Sequence, residues 1–387
     1  MQHSPILIIG GGIGGLCTAI ALRKLNLPVL VCERVPVLKG LGAGLVLAQN
    51  AMKAFQALDI DHLVQERGYA VKGFHILDQR GRVLGKNILP DAKQAHTFPT
   101  VTIDRGILHE LLMSLLPPEI ILTGKSCQQI EDTGTGVQVH FEDGTGLEGQ
   151  ALIGADGIHS VVRRHLFPET PLRYGGYTCW RGIVQLPEGS FTQELVTETW
   201  GAQGRFGIVP LGNDRVYWFA TKNAPQDDPV MAAFDLRAMQ QNYQGYHDPI
   251  QQVLAAEPEK GILWNDILDF RPLKHFAKGK ALLLGDAAHA TTPNMGQGAC
   301  MAIEDAVVLR DCFAQYAEVP TAFQAFEKVR QNRTRRIVNQ SYQIGRIAQL
   351  THPVSVGLRN TLLRMTPPSL SQKSVEKTLD ISFPVQV

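Results

Sequence analysis

Two stretches of this sequence have residue types and spacing that could grip a phosphorylated cofactor: Gly10-Gly11-Gly12-Ile13-Gly14-Gly15 and Gly285-Asp286. The first is a GxGxxG directly after an apolar run (PILII), opening a segment of helical period. There Gly10 permits a tight turn, Gly12 lets a diphosphate approach the backbone, and Gly15 lets helix and strand pack closely. The diphosphate would sit at the positive end of the helix. Glu33 closes a second apolar run (VLVCE), where an acid can hold ribose hydroxyls; it disfavours a 2′-phosphate, so the pattern suits FAD or NAD. The plainer alternative is a glycine-rich turn with no ligand.

The second stretch lies in LLLGDAAHATTPNMGQGACMAIEDAV, residues 282–307. Gly285-Asp286 end a buried strand, where open α/β sheets hold ligands, and an Asp there can accept hydrogen bonds from sugar-like hydroxyls. Pro293, Gly296 and Gly298 form a loop before a helix whose first N–H groups could stabilise negative charge. Glu304 and Asp305 complement that helix's dipole. His289 has no second metal-type residue spaced with it and reads as a satisfied structural histidine, so no metal is expected. A third motif, GADGIHSVVRRHL, reads locally: Asp156 caps a turn, Gly157 takes a special backbone angle, and Arg163 is surface charge.

The elements that must position these residues follow from apolar periodicity. Residues 5–9 and 29–33 predict strands around a helix at 13–26, the start of a βαβ unit. Residues 74–84 predict two short strands about a turn at Arg80-Gly81, and 104–116 a helix capped by Asp104. The segment 120–147 suggests a meander, and 151–156 another buried strand. Residues 174–221 alternate in polarity and are rich in aromatics, as in antiparallel sheet. Residues 230–256 turn helical, 281–285 return to buried strand, and a helix runs from about 297 to 316. The Arg-rich run EKVRQNRTRRIVNQ reads as a solvated helix face.

Over 387 residues the chain is 44% hydrophobic and 19% charged, with net charge +1. That balance gives no electrostatic case for nucleic acid or an anionic membrane surface. The six cysteines are scattered without a CxxC pair, as for single thiols of a reducing compartment. The N-terminal apolar stretch lacks a basic leader and is broken by glycines, and no run is long enough to span a membrane, so a cytoplasmic setting is expected.

GGGIGG with Glu33, GADGIHSVVR, and GDAAHATTPNMGQGACMAIEDA occur in that order and at those separations. Together they resemble the group A, single-component FAD-dependent monooxygenases of the para-hydroxybenzoate hydroxylase fold, over roughly residues 4–330. Urate hydroxylases, zeaxanthin epoxidases and salicylate-type hydroxylases are the nearest branches. The resemblance implies a Rossmann-like α/β FAD-binding domain (1–73, 101–170 and 271–330), an interleaved, mainly antiparallel substrate domain (74–100 and 171–270), and a C-terminal helical tail (331–387). It implies that Gly10, Gly12, Gly14 and Gly15 hold the ADP diphosphate and that Glu33, with Arg34 beside it, holds the adenosine ribose. Arg105 matches an FAD-contacting arginine. The backbone at Cys127 would touch the adenine, and Asp156-Gly157 serve FAD and NAD(P)H. Asp286 would bind the ribityl chain, the backbone of Gly296-Gln297-Gly298 would face the flavin's pyrimidine edge, and residues 42–50 would line the mobile flavin.

The implied activity is hydroxylation of a small aromatic or heteroaromatic substrate by a flavin C4a-hydroperoxide, with tightly bound FAD, NAD(P)H as co-substrate and O2. The protein would be a monomer or homodimer. The alternatives are an epoxidase or Baeyer–Villiger-type oxygenase of a larger apolar (for instance polyene) substrate and, further off, an NAD-linked dehydrogenase or a non-catalytic FAD-binding protein. Arg205 and Tyr217 match substrate-binding positions of the urate hydroxylases: Arg205 would hold an anion and Tyr217 polarise or deprotonate the substrate. The alternative makes Arg205 a structural ion-pair partner and Tyr217 core. Asn294 departs from the urate hydroxylases, which carry an acid there. Trp180, Trp200, Phe206, Trp218 and Phe219 could line an apolar pocket or simply fill the sheet core.

Overall fold

The computed structural model describes residues 4–37, 43–89, 98–381 and 383. Of the regions assigned from sequence, residues 1–3, 38–42, 90–97, 382 and 384–387 lie outside it, including Gly42 of the 42–50 stretch. The buried apolar runs form a six-stranded sheet in the order Ala277–Lys278, Ala281–Leu283, Ala151–Gly154, Ile6–Ile9, Val29–Glu33, Ile121–Thr123. All neighbours are parallel except the first pair. Strands this apolar need cover on both faces, and helices Ile13–Arg23 and Gly298–Gln315 supply part of it. Chain order places Ile6–Ile9 between two parallel neighbours reached by opposite crossovers, so a crevice opens at its carboxyl end.

The alternating segment forms a seven-stranded sheet in the order Leu263–Phe270, Leu172–Gln185, Arg215–Asn223, Gly204–Gly212, Leu195–Gly201, Gly73–Asp78, Val83–Ile88. Its pairs are antiparallel except Leu195–Gly201 with Gly73–Asp78. A small sheet of Gly44–Leu47, Thr100–Asp104 and Tyr69–Val71 contacts Gly204–Gly212 of the seven-stranded sheet. Helix Val319–Ala348 then runs back along the molecule, followed by Pro353–Met365 and Pro368–Leu379.

Several expectations shift. The strand at 121–123 leaves the anticipated meander and becomes the edge of the parallel sheet; the meander is Cys127–Asp132, Val137–Phe141 and Gly146–Gly149. The first helix stops at Arg23, because Asn26 takes a left-handed φ of 58° and turns the chain. The 230–256 segment is three short helices, two of them capped by Asp228 and Asp235. Arg163 is not surface charge: it is buried over the Phe270 ring at 4.4 Å and donates to the carbonyls of Ile158 and Ala287.

The Arg-rich helix is not solvated throughout either. Arg330 is 1% exposed and donates to Glu304 and Asp305, each at 2.6 Å. Arg333 completes a second pair with Glu304, also at 2.6 Å. Both carboxylates therefore belong to a buried ion network, where sequence had assigned them only to the dipole of their own helix.

Candidate active site

The glycine-rich turn is built by steric necessity. Gly10 has φ +110°, and a side-chain carbon there would collide with the Ala155 carbonyl. One at Gly15 would collide with the carbonyl of Gly10, so strand and helix approach at backbone distance. At Gly12 the same carbon would meet nothing within 4 Å, leaving a cradle beside the helix N-terminus, where no side chain caps the first N–H groups. Glu33 closes the other side: its carboxylate accepts from Gly11 N at 2.7 Å and Val35 N at 3.0 Å. Arg34 is exposed next to it.

Sequence reasoning missed His109, whose Nε2 donates to the Gly11 carbonyl at 2.7 Å and steadies this turn. It sits four residues after Arg105, on the helix that Asp104 caps through Gly106 N at 2.8 Å. Arg105 itself is exposed, and its N–H fixes the Ala43 carbonyl at 2.8 Å. Cys127 is buried at the start of its strand. Asp156 caps the turn as expected, accepting from Ser160 Oγ at 2.5 Å and Val161 N at 2.7 Å. Burial raises its carboxyl pKa, against the hydrogen bond from Ser160. Gly157, with φ +77°, faces open space.

The Asp286 corner faces this turn across a close seam. A side-chain carbon at Gly14 would stand 3.2 Å from Ala302 Cβ, so helices Ile13–Arg23 and Gly298–Gln315 pack almost backbone to backbone. Gly285 has φ 57° and ψ −143°, a conformation open to glycine alone, and it turns Asp286 outward at the strand end. Asp286 is exposed and has no side-chain partner among the described residues. Gly298 begins the adjacent helix, with no acid in its first turn, and Gly296 takes a left-handed φ of 63° over open space.

Behind the corner lies the ion network. Asp305 accepts from Gly285 N at 2.8 Å and from His289 Nε2 at 2.7 Å, so His289 is held in the network by one ring nitrogen while its Nδ1 is buried without a partner. Asn50 donates to both Gln297 (2.9 Å) and Glu304 (2.6 Å), tying the end of the small sheet's loop to the helix start.

The third wall is one face of the seven-stranded sheet. Strand register puts Arg205 opposite Trp200 and Thr221, and Tyr217 opposite Val209 and Ile183, all on the face that meets Gly44 and Asn294. Trp180, Phe206 and Trp218 point the other way, into the core under the short helices, so only Trp200 and Phe219 of the five aromatics share the face of Arg205. Arg205 is 2% exposed and both its terminal nitrogens are committed: it pairs with Glu198 at 2.9 Å, donates to Asn294 Oδ1 at 2.7 Å and lies 5.2 Å from the Tyr177 ring. Asn294 is also used up. It accepts from Tyr177 Oη (3.0 Å) as well as Arg205, and donates to Thr292 Oγ1 (2.8 Å) and the Ser341 carbonyl (2.9 Å).

Tyr217 differs. Burial pushes its phenol up to about 12, against the opposing charge of the nearby Arg181. Kept protonated, the phenol offers one O–H that can donate to a ligand. Arg181 was not singled out from sequence; nothing in RGIVQ marks it until the register sets it beside Tyr217.

These features fit FAD: an open cradle at Gly12, an outward Asp286 and a helix start free of acids. If a diphosphate occupies the cradle, Gly12→Ala changes stability by no more than about 0.5 kcal/mol yet weakens flavin binding at least about tenfold. Gly15→Ala should instead destabilise the fold. Thermal melts of apo protein and flavin titrations separate the two outcomes.

A family model described as an FAD binding domain matches residues 3–341. Over 364 residues the chain is 39% identical to the aurachin C monooxygenase/isomerase of Stigmatella aurantiaca, covering 93% of this chain and 94% of that one. It is 34% identical to the 2-heptyl-3-hydroxy-4(1H)-quinolone synthase of Pseudomonas aeruginosa over 370 residues, covering 94% of each. Among solved structures, Klebsiella pneumoniae HpxO complexed with FAD and uric acid matches with a TM-score of 0.90 at 27% identity, covering 98% of this chain and 97% of that one.

Proposed function

The chain belongs to the FAD-binding domain family, as an FAD-dependent, NAD(P)H-using aromatic monooxygenase, and we propose that it hydroxylates a neutral, carbonyl-bearing N-heteroaromatic of the quinolone type with an apolar substituent. One observation carries the substrate reading: the charge of Arg205 is matched inside the protein by Glu198, and Asn294 has no capacity left, so this pair does not grip an anion such as urate. Tyr217, kept protonated by burial, offers one O–H donor suited to a ring carbonyl. Phe219, Ile183 and Val209 give that donor apolar surroundings. The two relatives of highest identity named above support the same class, one by a product that is an alkyl hydroxyquinolone.

In this reading Gly10, Gly12, Gly14, Gly15, Glu33 and Arg34 hold the ADP half of FAD. Arg105 and Asp156 flank the cofactor, the Cys127 backbone meets the adenine, and Asp286 with Gly296, Gln297 and Gly298 holds the ribityl and flavin end. Residues 171–270 with 74–100 form the substrate-binding part. Bound FAD, reduced by NAD(P)H, supplies the activation of O2. The protein's own share is to exclude water with the sheet face, orient the ring by Tyr217 and stabilise negative charge at the N-terminus of helix Gly298–Gln315.

The test is NAD(P)H consumption by the flavin-loaded protein with a 2-alkyl-4(1H)-quinolone, urate and salicylate in parallel, with products identified by mass. Stimulation of about tenfold or more by the quinolone, with gain of one oxygen, is expected. Stimulation by urate or salicylate alone overturns the reading.

A further inference from the structure

Among the described residues, helix Pro353–Met365 is fixed to the protein by one side. Arg359 points inward, donating to the Ala348 carbonyl at 2.9 Å and lying over the Trp200 ring at 5.2 Å. Arg364 holds Asp78 at 2.7 Å from the helix flank. The opposite side carries Val354, Leu358, Leu362 and Met365, spaced within one helical stripe and 72%, 61%, 57% and 73% exposed. An outward apolar stripe on an anchored helix has no route to bury itself within this chain's described residues.

The sequence leading into and out of it carries one sign of charge. Residues 328–375 contain nine Lys and Arg and no Asp or Glu, although the whole chain carries only +1. Four of these cations turn inward or pair, namely Arg330, Arg333, Arg359 and Arg364. Lys328, Arg335, Arg346 and Lys373 are exposed. We propose that helix Pro353–Met365 docks the protein on an anionic lipid bilayer surface, with the Val354–Leu358–Leu362–Met365 stripe laid into the headgroup boundary and the surrounding cations facing the lipid charge.

Lipid is favoured over a second copy of the chain by area and by charge. The stripe offers on the order of 400 Å², against about 800 Å² that each partner buries in a stable dimer. A two-fold contact would also set the same cations against each other, whereas anionic headgroups attract them. The mode is that of an interfacial helix, and no described helix is long and apolar enough to cross a membrane.

The test is co-sedimentation of the flavin-loaded full chain with phosphatidylcholine vesicles that do or do not contain about one quarter phosphatidylglycerol. The wild type is expected to sediment with the anionic vesicles, and Leu358→Asn/Leu362→Asn to lower its partition about tenfold or more. Flavin content serves as the fold check. Should that variant lose flavin, Val354→Ser/Met365→Gln takes its place. The proposal is overturned by absence of binding, by equal binding to both vesicle types, by unchanged binding of the variant, or by a solution dimer that the variant dissociates.

Discussion

Asp286→Ala should yield a folded protein that purifies without its yellow colour. The side chain is exposed and bonded to no described residue, so its removal takes nothing from the fold. What it loses is an acceptor for sugar-like hydroxyls at a strand end held in place by Gly285 and Asp305. Hydrogen bonds to a charged acceptor contribute about 1.5–3 kcal/mol each. Two such bonds correspond to a flavin dissociation constant raised by roughly two to four orders of magnitude. Flavin absorbance per chain after gel filtration, followed by FAD titration, measures it. Retention of full flavin content would refute the ribityl role of Asp286. Asp286→Asn, which keeps an acceptor without the charge, should fall between.

The second large effect is on stability. Arg330→Met leaves Glu304 and Asp305, both fully buried, with one cation fewer between them. Breaking one side of such a pair costs about 3–5 kcal/mol, since the remaining charge stays desolvated. Burial alone would raise the Asp305 carboxyl, but His289 and Arg330 override it and hold it at about 2. Its folded value is therefore below the unfolded one near ~3.9. The stability it contributes is present above about pH 4 and is lost as pH falls through about 2. Without Arg330 that loss should begin at higher pH. Urea unfolding of both proteins from about pH 7 down to pH 3 reads the size and the shift. Neutralising the acids as well (Glu304→Gln/Asp305→Asn) should restore part of the loss; a larger loss instead would count against charge imbalance as the cause.

Sequence reading succeeded where chemistry is local. Gly10, Gly12 and Gly15 play three parts within six residues: Gly10 is demanded by its backbone angle, Gly15 by the Gly10 carbonyl, and Gly12 leaves open space. The Asp104 cap and the Arg80-Gly81 turn were legible for the same reason. Arg330 and Arg333 misled because a charged helix of correct period looks solvated, while their partners sit on another helix some 25 residues upstream. Arg163 misled likewise: its partners are carbonyls and a ring that no pattern announces. Alternation in the aromatic strands revealed two faces without telling which one turns to the cofactor, so Trp180, Phe206 and Trp218 could not be told from Trp200 and Phe219. His109 and Arg181 carried no signal, because each matters only through a contact the folded chain creates.

The seam between Gly14 and Ala302 also has a consequence for biosynthesis. A ribosome delivers the glycine turn first, yet strand Ala281–Leu283, its Asp286 corner and the helix that presses on Gly14 emerge late, and Arg330 later still. Under the proposed assignment, a nascent chain lacking these segments would have the side for adenosine without the side for the ring, so full cofactor binding would wait for the end of translation and mark completed chains.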